Sequence, residues 1–421
     1  MLLTSPLSSP LKNPARDVFS PAASSQSLTA QVQALFAGGK VGGMWDMGDT
    51  STLFQDAAGA TPVTAVTQPI GRVNDKSGLG NHATQATAGS RPLFSALKNL
   101  LVKTEQLDDG GLNSGIWKRR ANVVVTPNQG SGGFSDLDRI ENSVGSGAHE
   151  GLYQATAVAA ANKTFTAQVT LAAVSGTTTA VLFIGAFGGG DVGNSAVVSL
   201  TTTPTTFTVS HTFGAGAVGN CYLEIAPNVV GVPILAGRAQ LEFGAIATSY
   251  QRVNTASDYD TVGFPAFAQF DATDDALLFP AITFGGAFNT FVAGKLTGGT
   301  LGVHLWRTAD SSDGYWAVYQ SGSAASPTGR SAGSPTYSNN GIAVSPQTRA
   351  QIYTLINGVD SVLESTGIVL SAETPLQLSG YPSAQFQGNT HHVLMISGTL
   401  TAAEKLLCRR WAAEGNGAPV V

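Results

Sequence analysis

The feature that most constrains this chain is a period of two in its apolar residues. Phe165, Ala167, Val169 and Leu171 alternate with polar or small residues, and Phe207, Val209, His211 and Phe213 repeat the spacing. Leu223 with Ile225, and Leu241 with Phe243, do so again. Successive side chains of a strand point to opposite faces, so this spacing describes strands buried on one side. Threonine is dense on the other side, as suits half-buried antiparallel strands. Glycine, 50 of 421 residues, marks the turns between them. Short strands joined by such turns predict an all-β chain of sandwich or jelly-roll type. The surface is poor in charge: Asp, Glu, Lys and Arg make up 12% of the chain, against about 25% in an average domain. That excludes helical bundles and coiled coils, whose surfaces need those residues.

The flanking regions read differently. Pro6, Pro10, Pro14 and Pro21 keep residues 1–26 extended, and the prolines interrupt any signal-peptide core. The apolar residues of this arm, Leu2, Leu3, Leu7, Leu11, Val18 and Phe19, are spaced to fit successive pockets on a partner, which predicts a docking arm. Ser27 to Phe36 reads as a short helix stopped by Gly38 and Gly39. Trp45, Leu53, Phe54, Val63, Val66 and Ile70 are core candidates, with Asp46, Asp49, Asp56 and Asp75 in turns. A second β region follows residue 254, with strands expected at Phe291–Lys295, Tyr315–Gln320 and Val393–Ile396. Ile352 to Ile356, then Asn357-Gly358, then Val359 to Glu364 predicts a hairpin with a type I′ turn. The chain closes with a helix carrying a Thr401/Glu404 capping box, an apolar face of Ala403, Leu406, Leu407 and Trp411, and a stop at Gly415. The longest apolar run, Ala180–Phe187, is far short of a membrane span, so no membrane insertion is expected.

Motifs of catalysis are missing: there is no GxSxG, HExxH, P-loop or GxGxxG fingerprint. The expectation is a non-enzyme with no catalytic residue. Net charge is −5, and the one basic cluster, Lys118-Arg119-Arg120, reads as a solvated corner, so nucleic acid is not an expected partner. Cys221 and Cys408 read as small buried groups. His391 and His392 are adjacent on a strand and point to opposite faces, one packed and one exposed, so they do not chelate one metal. Asp271, Asp274 and Asp275 form a turn cluster and are weak calcium candidates, and Asp310 and Asp313 form another. No other cofactor or metal is expected. Trp45 and Trp411 lie in apolar patterns and read as core. Trp306 and Trp316 flank a polar loop and are the expected glycan-stacking pair.

Three groups of phrases carry a resemblance. The first runs from Ala34-Leu35-Phe36-Ala37-Gly38-Gly39 through Trp45-Asp46, Ser51-Thr52-Leu53-Phe54-Gln55-Asp56-Ala57-Ala58-Gly59 and Thr61-Pro62-Val63-Thr64-Ala65-Val66 to Asp75-Lys76-Ser77-Gly78, Gly80-Asn81-His82-Ala83-Thr84-Gln85 and Arg91-Pro92. The second joins Asn99-Leu100-Leu101 and Thr104-Glu105 to Ala239-Gln240-Leu241-Glu242 and Thr248-Ser249-Tyr250-Gln251-Arg252-Val253. The third is Phe270-Asp271-Ala272-Thr273-Asp274-Asp275 with Leu400-Thr401-Ala402-Ala403-Glu404. As a set this resembles the laminin-G-like (concanavalin A-like) virion proteins of tailed bacteriophages, whose sandwich is often interrupted by a jelly roll similar to carbohydrate-binding modules. In the middle module the Trp expected soon after Glu105 corresponds to Trp117, after a Gly-rich insertion.

The resemblance implies two antiparallel β-sandwich (jelly-roll / concanavalin A-like) domains with a short N-terminal helix and a C-terminal helix. The expected division is an arm and helix over 1–40, a discontinuous sandwich from 41–97 plus 254–421, and an inserted jelly roll over 98–253. It implies a structural protein at the virion surface, a tail fibre or similar appendage, with other tail or capsid proteins as partners, a homo-oligomer such as a trimer, and host-surface glycan as ligand. The alternatives are a head-decoration protein without external ligand and a glycan-cleaving tailspike.

Overall fold

A computed structural model describes residues 26–145, 150–298, 303–304, 307–308, 317–318, 335–370, 375–379 and 385–421. The fold is all-β, with antiparallel sheets and three helices among the described residues. α1 (Leu28–Ala37) is capped by Ser27 and α3 (Ala402–Glu414) by the full Thr401/Glu404 capping box, as the residue types require.

One sandwich has an eight-stranded sheet centred on Gln387–Ser397, which pairs with Phe288–Leu296 on one side. On its other side, two short strands share its length: Gly42–Asp46 pairs at His392–Ile396, and Phe267–Asp271 at Gln387–Thr390. The facing sheet runs Leu53–Phe54, Arg72–Val73, Ala83–Thr84, Ala276–Leu278, Leu376–Ser379 and Arg307–Thr308. Its core joins Trp45, Leu53, Val63, Ile70 and Phe94 to Phe270, Phe288, Val292, Val393 and Met395. α1 and α3 cover the outside of the large sheet, where Trp411 and Phe36 pack on Phe291 and Leu394.

The second sandwich is built within residues 100–245. One sheet orders Thr205–Thr212, Thr164–Ala173, Ile234–Phe243, Asp138–Asn142 and Val123–Thr126. The other orders Gly193–Leu200, Thr178–Ala186, Asn220–Pro227, Leu152–Ala159 and Lys118–Arg119. The alternating residues Phe165, Ala167, Val169, Leu171, Leu223, Ile225 and Leu241 all point inward, together with Trp117. Cys221 and Cys408 are free and buried, each thiol pushed up by burial, the latter to about 12.

Three expectations are corrected. Residues Arg349–Ile356 form a helix, α2, not a strand. Thr348 caps it, and Ile352, Tyr353 and Ile356 bury one face at helical spacing. Asn357 has φ −72° and only Gly358 is positive, so the two left-handed residues of a type I′ turn are not there. His391 and His392 are both buried, because the sheet is covered on both faces. Arg120 is not a solvated corner: its guanidinium pairs with the buried Glu224 at 3.1 Å.

Candidate functional site

Trp306 and Trp316 lie outside the described residues, as do the arm residues Leu2, Leu3, Leu7, Leu11, Val18 and Phe19, and Asp310 and Asp313. Of the expected strand Tyr315–Gln320, Ala317–Val318 is described.

Asp271, Asp274 and Asp275 are brought together, with one ligand atom of each within 4.8 Å of the others. Asp275 is buried, and its Oδ2 accepts the backbone N–H of Asp271 at 2.9 Å. Burial and the nearby charge of Asp271 push the Asp275 carboxyl up to about 7. Asp274 accepts from the Ser90 hydroxyl at 2.7 Å. Three carboxylates on one turn form the oxygen donor set that a hard cation takes, and a bound cation would favour the ionised form of Asp275.

The middle sandwich carries a cluster that the period-two pattern implies but does not announce. With Leu223 and Ile225 inward, Tyr222 and Glu224 must face outward. Register then sets Tyr153 and Phe183 on either side of Glu224, and Gly185 beside Tyr222. Gly185 is needed there, because a Cβ would run into the Tyr222 and Phe183 rings. Tyr153 and Phe183 pack on Tyr222 with centroids 5.8 and 5.7 Å away. Phe187 stacks on Tyr222 at 4.5 Å and 25°. Tyr153, Phe183 and Tyr222 are buried, whereas Phe187 is 52% exposed and so keeps one ring face toward solvent. Arg120 lies 4.3 Å over the Tyr153 ring and is held there by Glu224, which also accepts from Gly151 N–H. The half-exposed Phe187 ring can stack an apolar sugar face, and the Arg120 guanidinium, held over the Tyr153 ring of the same cluster, can donate to hydroxyls.

The second group of resemblance phrases has a structural job at the neck between the sandwiches. The Gln251 side chain accepts from Lys98 and Asn99 N–H at 2.7 and 2.9 Å and donates to Ala96 and Asp260 carbonyls, both at 2.8 Å. Asn99 bonds Ala239 and Gln251 carbonyls and accepts from Leu101 and Leu241 N–H. Both amides are fully buried and tie the outgoing and returning chains together. Beside the neck, Asn357 Nδ2 donates to Asn162 O at 3.1 Å, and Lys295 lies 5.5 Å from the Phe243 ring.

The two histidines are also structural. His391 Nδ1 is 3.1 Å from Ala266 O, and burial holds its pKa down at about 3. His392 bridges the Trp411 carbonyl at 2.8 Å and Asp46 at 3.1 Å. Burial works against the Asp46 carboxylate, but bonds from His392 and Lys76 outweigh it and hold its pKa well below the usual range.

No protein-family model matches the sequence, and no curated protein matches it. Solved structures share similarity, several of them over about a third of the chain. The CBM22-1 xylan-binding domain of Paenibacillus barcinonensis Xyn10C is 13% identical, covering 36% of this chain and 96% of its own, with a TM-score of 0.28. A sugar-binding protein of Bacteroides thetaiotaomicron, so described on a provisional basis, is 10% identical over 35% of this chain and all of its own, with a TM-score of 0.29. The enzymatically active domain of bacteriophage CBA120 tailspike protein 4 is 16% identical over 36% of this chain and 22% of its own, with a TM-score of 0.26.

Proposed function

We propose that this chain is a structural protein of a bacteriophage virion surface, a tail fibre or similar appendage, that binds host-surface glycan and cleaves nothing. The observation that carries the binding reading is the half-exposed Phe187 ring, stacked on Tyr222 in the cluster where the Glu224-held Arg120 lies over Tyr153. The virion reading rests on the sequence resemblance. In this reading residues 1–26 dock the protein to tail or capsid proteins, residues 98–253 are an inserted binding module, and Asp271, Asp274 and Asp275 hold calcium. The catalytic alternative has less support: the sequence is poor in acidic residues and carries no GxSxG, HExxH, P-loop or GxGxxG motif.

Three measurements on the purified full-length chain test the proposal. A glycan array is expected to show selective binding, and a reducing-end assay on the bound glycans is expected to show no release. Antibody labelling of intact particles is expected to mark the surface appendages. Release of sugar ends establishes the tailspike reading instead. Surface labelling without any glycan binding establishes the decoration reading.

A further inference from the structure

The edges of the middle sandwich are treated unequally. Its Lys118–Arg119 edge is two residues long and charged, and the Val123–Thr126 edge runs directly into Pro127. Both are common ways to keep an edge from pairing with another chain. The opposite side has neither protection. Gly193–Leu200 and Thr205–Thr212 end the two sheets there, each eight residues long. Each pairs inward through eight consecutive residues with no bulge. Neither strand contains Lys, Arg, Asp, Glu or Pro. Among the described residues nothing pairs with their outer sides. On Thr205–Thr212, the Ser210 carbonyl is already taken by Asn194 Nδ2 at 3.2 Å, and His211 is bound to Asp191 at 2.8 Å. Gly193–Leu200 is the freer of the two, and its Val197 is 63% exposed at mid-strand.

We infer that Gly193–Leu200 is a self-pairing edge, joining the same strand of a second copy antiparallel and so continuing one sheet across two molecules. The occupant is a second copy because the strand is self-complementary. Antiparallel pairing of identical strands about a two-fold axis gives each copy the same set of backbone bonds. It also lacks charge, so nothing repels the identical partner, and it brings the two Val197 side chains together at its centre. Phe187 lies in the loop that joins Thr178–Ala186 to this strand, and Phe183 lies opposite its Ser195, so the test substitution is placed at Val197, opposite Val181.

Sedimentation and native mass spectrometry of the full-length chain between about 1 and 100 µM test this. The wild type is expected to pass from monomer to a two-fold species. Val197→Lys places like charges opposite each other and is expected to weaken association at least tenfold, with an unchanged monomer melting curve. Val197→Thr, an uncharged strand former, is expected to retain it. Amide exchange over residues 193–200 is expected to slow with rising concentration in the wild type and not in Val197→Lys. A wild type that stays monomeric, or a Val197→Lys chain that associates like the wild type, overturns the inference.

Discussion

The two sandwiches close in different ways from a similar composition. The middle one takes its core from one continuous stretch, Leu101 to Leu241, and seven of its strands run eight to ten residues. Long ladders satisfy their own backbone groups, and little else is needed. The outer one assembles its core from Trp45–Phe94 and Ala268–Met395, and much of its facing sheet is made of two-residue strands. Short strands leave backbone groups over, and side chains finish the job. Asp75 alone accepts from Met44, Ser77 and Asn81 N–H and from the Ser77 hydroxyl. Arg409 on α3 reaches across to Glu364 at 2.7 Å and to the Val421 carbonyl. Regular hydrogen bonding makes one region tolerant of surface change. The other depends on a few buried polar residues.

The largest effect that sharpens this contrast is excision. Replacing residues 98–253 by a short flexible linker is expected to leave a soluble β protein with a cooperative thermal transition, because the outer core contains no residue of that stretch. An aggregated or molten product would mean that the two sandwiches fold only together. Next is Arg409→Ala in the full chain. It leaves Glu364 buried without its cation, which typically costs about 3–5 kcal/mol. Chemical denaturation is expected to show the outer sandwich unfolding at much lower denaturant while the middle one keeps its midpoint. A shift below about 1 kcal/mol would show that side-chain clamps matter less than the ladders do.

Asp275 gives a pH-dependent version. Its carboxyl is raised to about 7 in the folded chain, against about 3.9 unfolded. The folded state therefore holds the proton more tightly, so the contribution of Asp275 to stability is full below pH 4 and falls as pH rises toward 7. The loss amounts to about 2 kcal/mol once partial solvent screening is allowed for. Melting curves between pH 5 and 8 are expected to show this slope in EDTA and to lose it in Asp275→Asn. Millimolar calcium is expected to restore stability at pH 8 in the wild type alone. A flat profile in EDTA would remove this titrating weak point from the outer sandwich.

The contrast also explains what could be read in advance. Phe165 to Leu171 and Leu223 to Ile225 were legible because a ladder half-buried on one face imposes its period on the sequence. The cap of α3 was legible because Thr401 acts on its own neighbours. Ile352 to Ile356 misled because a short apolar run followed by Asn-Gly fits a strand or a helix, and the deciding contacts come from elsewhere in the outer core. Arg120 misled for the same reason: its partner Glu224 is far away in sequence. The Phe187 cluster was half visible. The outward direction of Tyr222 followed from the period, but its meeting with Tyr153 and Phe187 required strand order, which a single sequence does not state.

The smallest expected effect on stability is the most informative about function. Phe187 follows the Thr178–Ala186 strand and adds nothing to its ladder, and its ring is half in solvent. Phe187→Ala should therefore cost no more than about 1 kcal/mol of stability, the range of substitutions outside a packed core. If the ring is a sugar platform, the same change removes a stacking contact worth about 1.4 kcal/mol, or tenfold in affinity for a glycan identified on the array. Phe187→Trp keeps a flat face and is expected to keep or raise that affinity. Titration calorimetry and a melting curve on each variant separate the outcomes. Weaker binding at constant melting temperature marks a ligand contact, which the ladder-built sandwich can expose because it does not need the ring to fold. A drop of several degrees without selective loss of binding would make Phe187 part of the core. The middle sandwich would then depend on buried side chains as the outer one does.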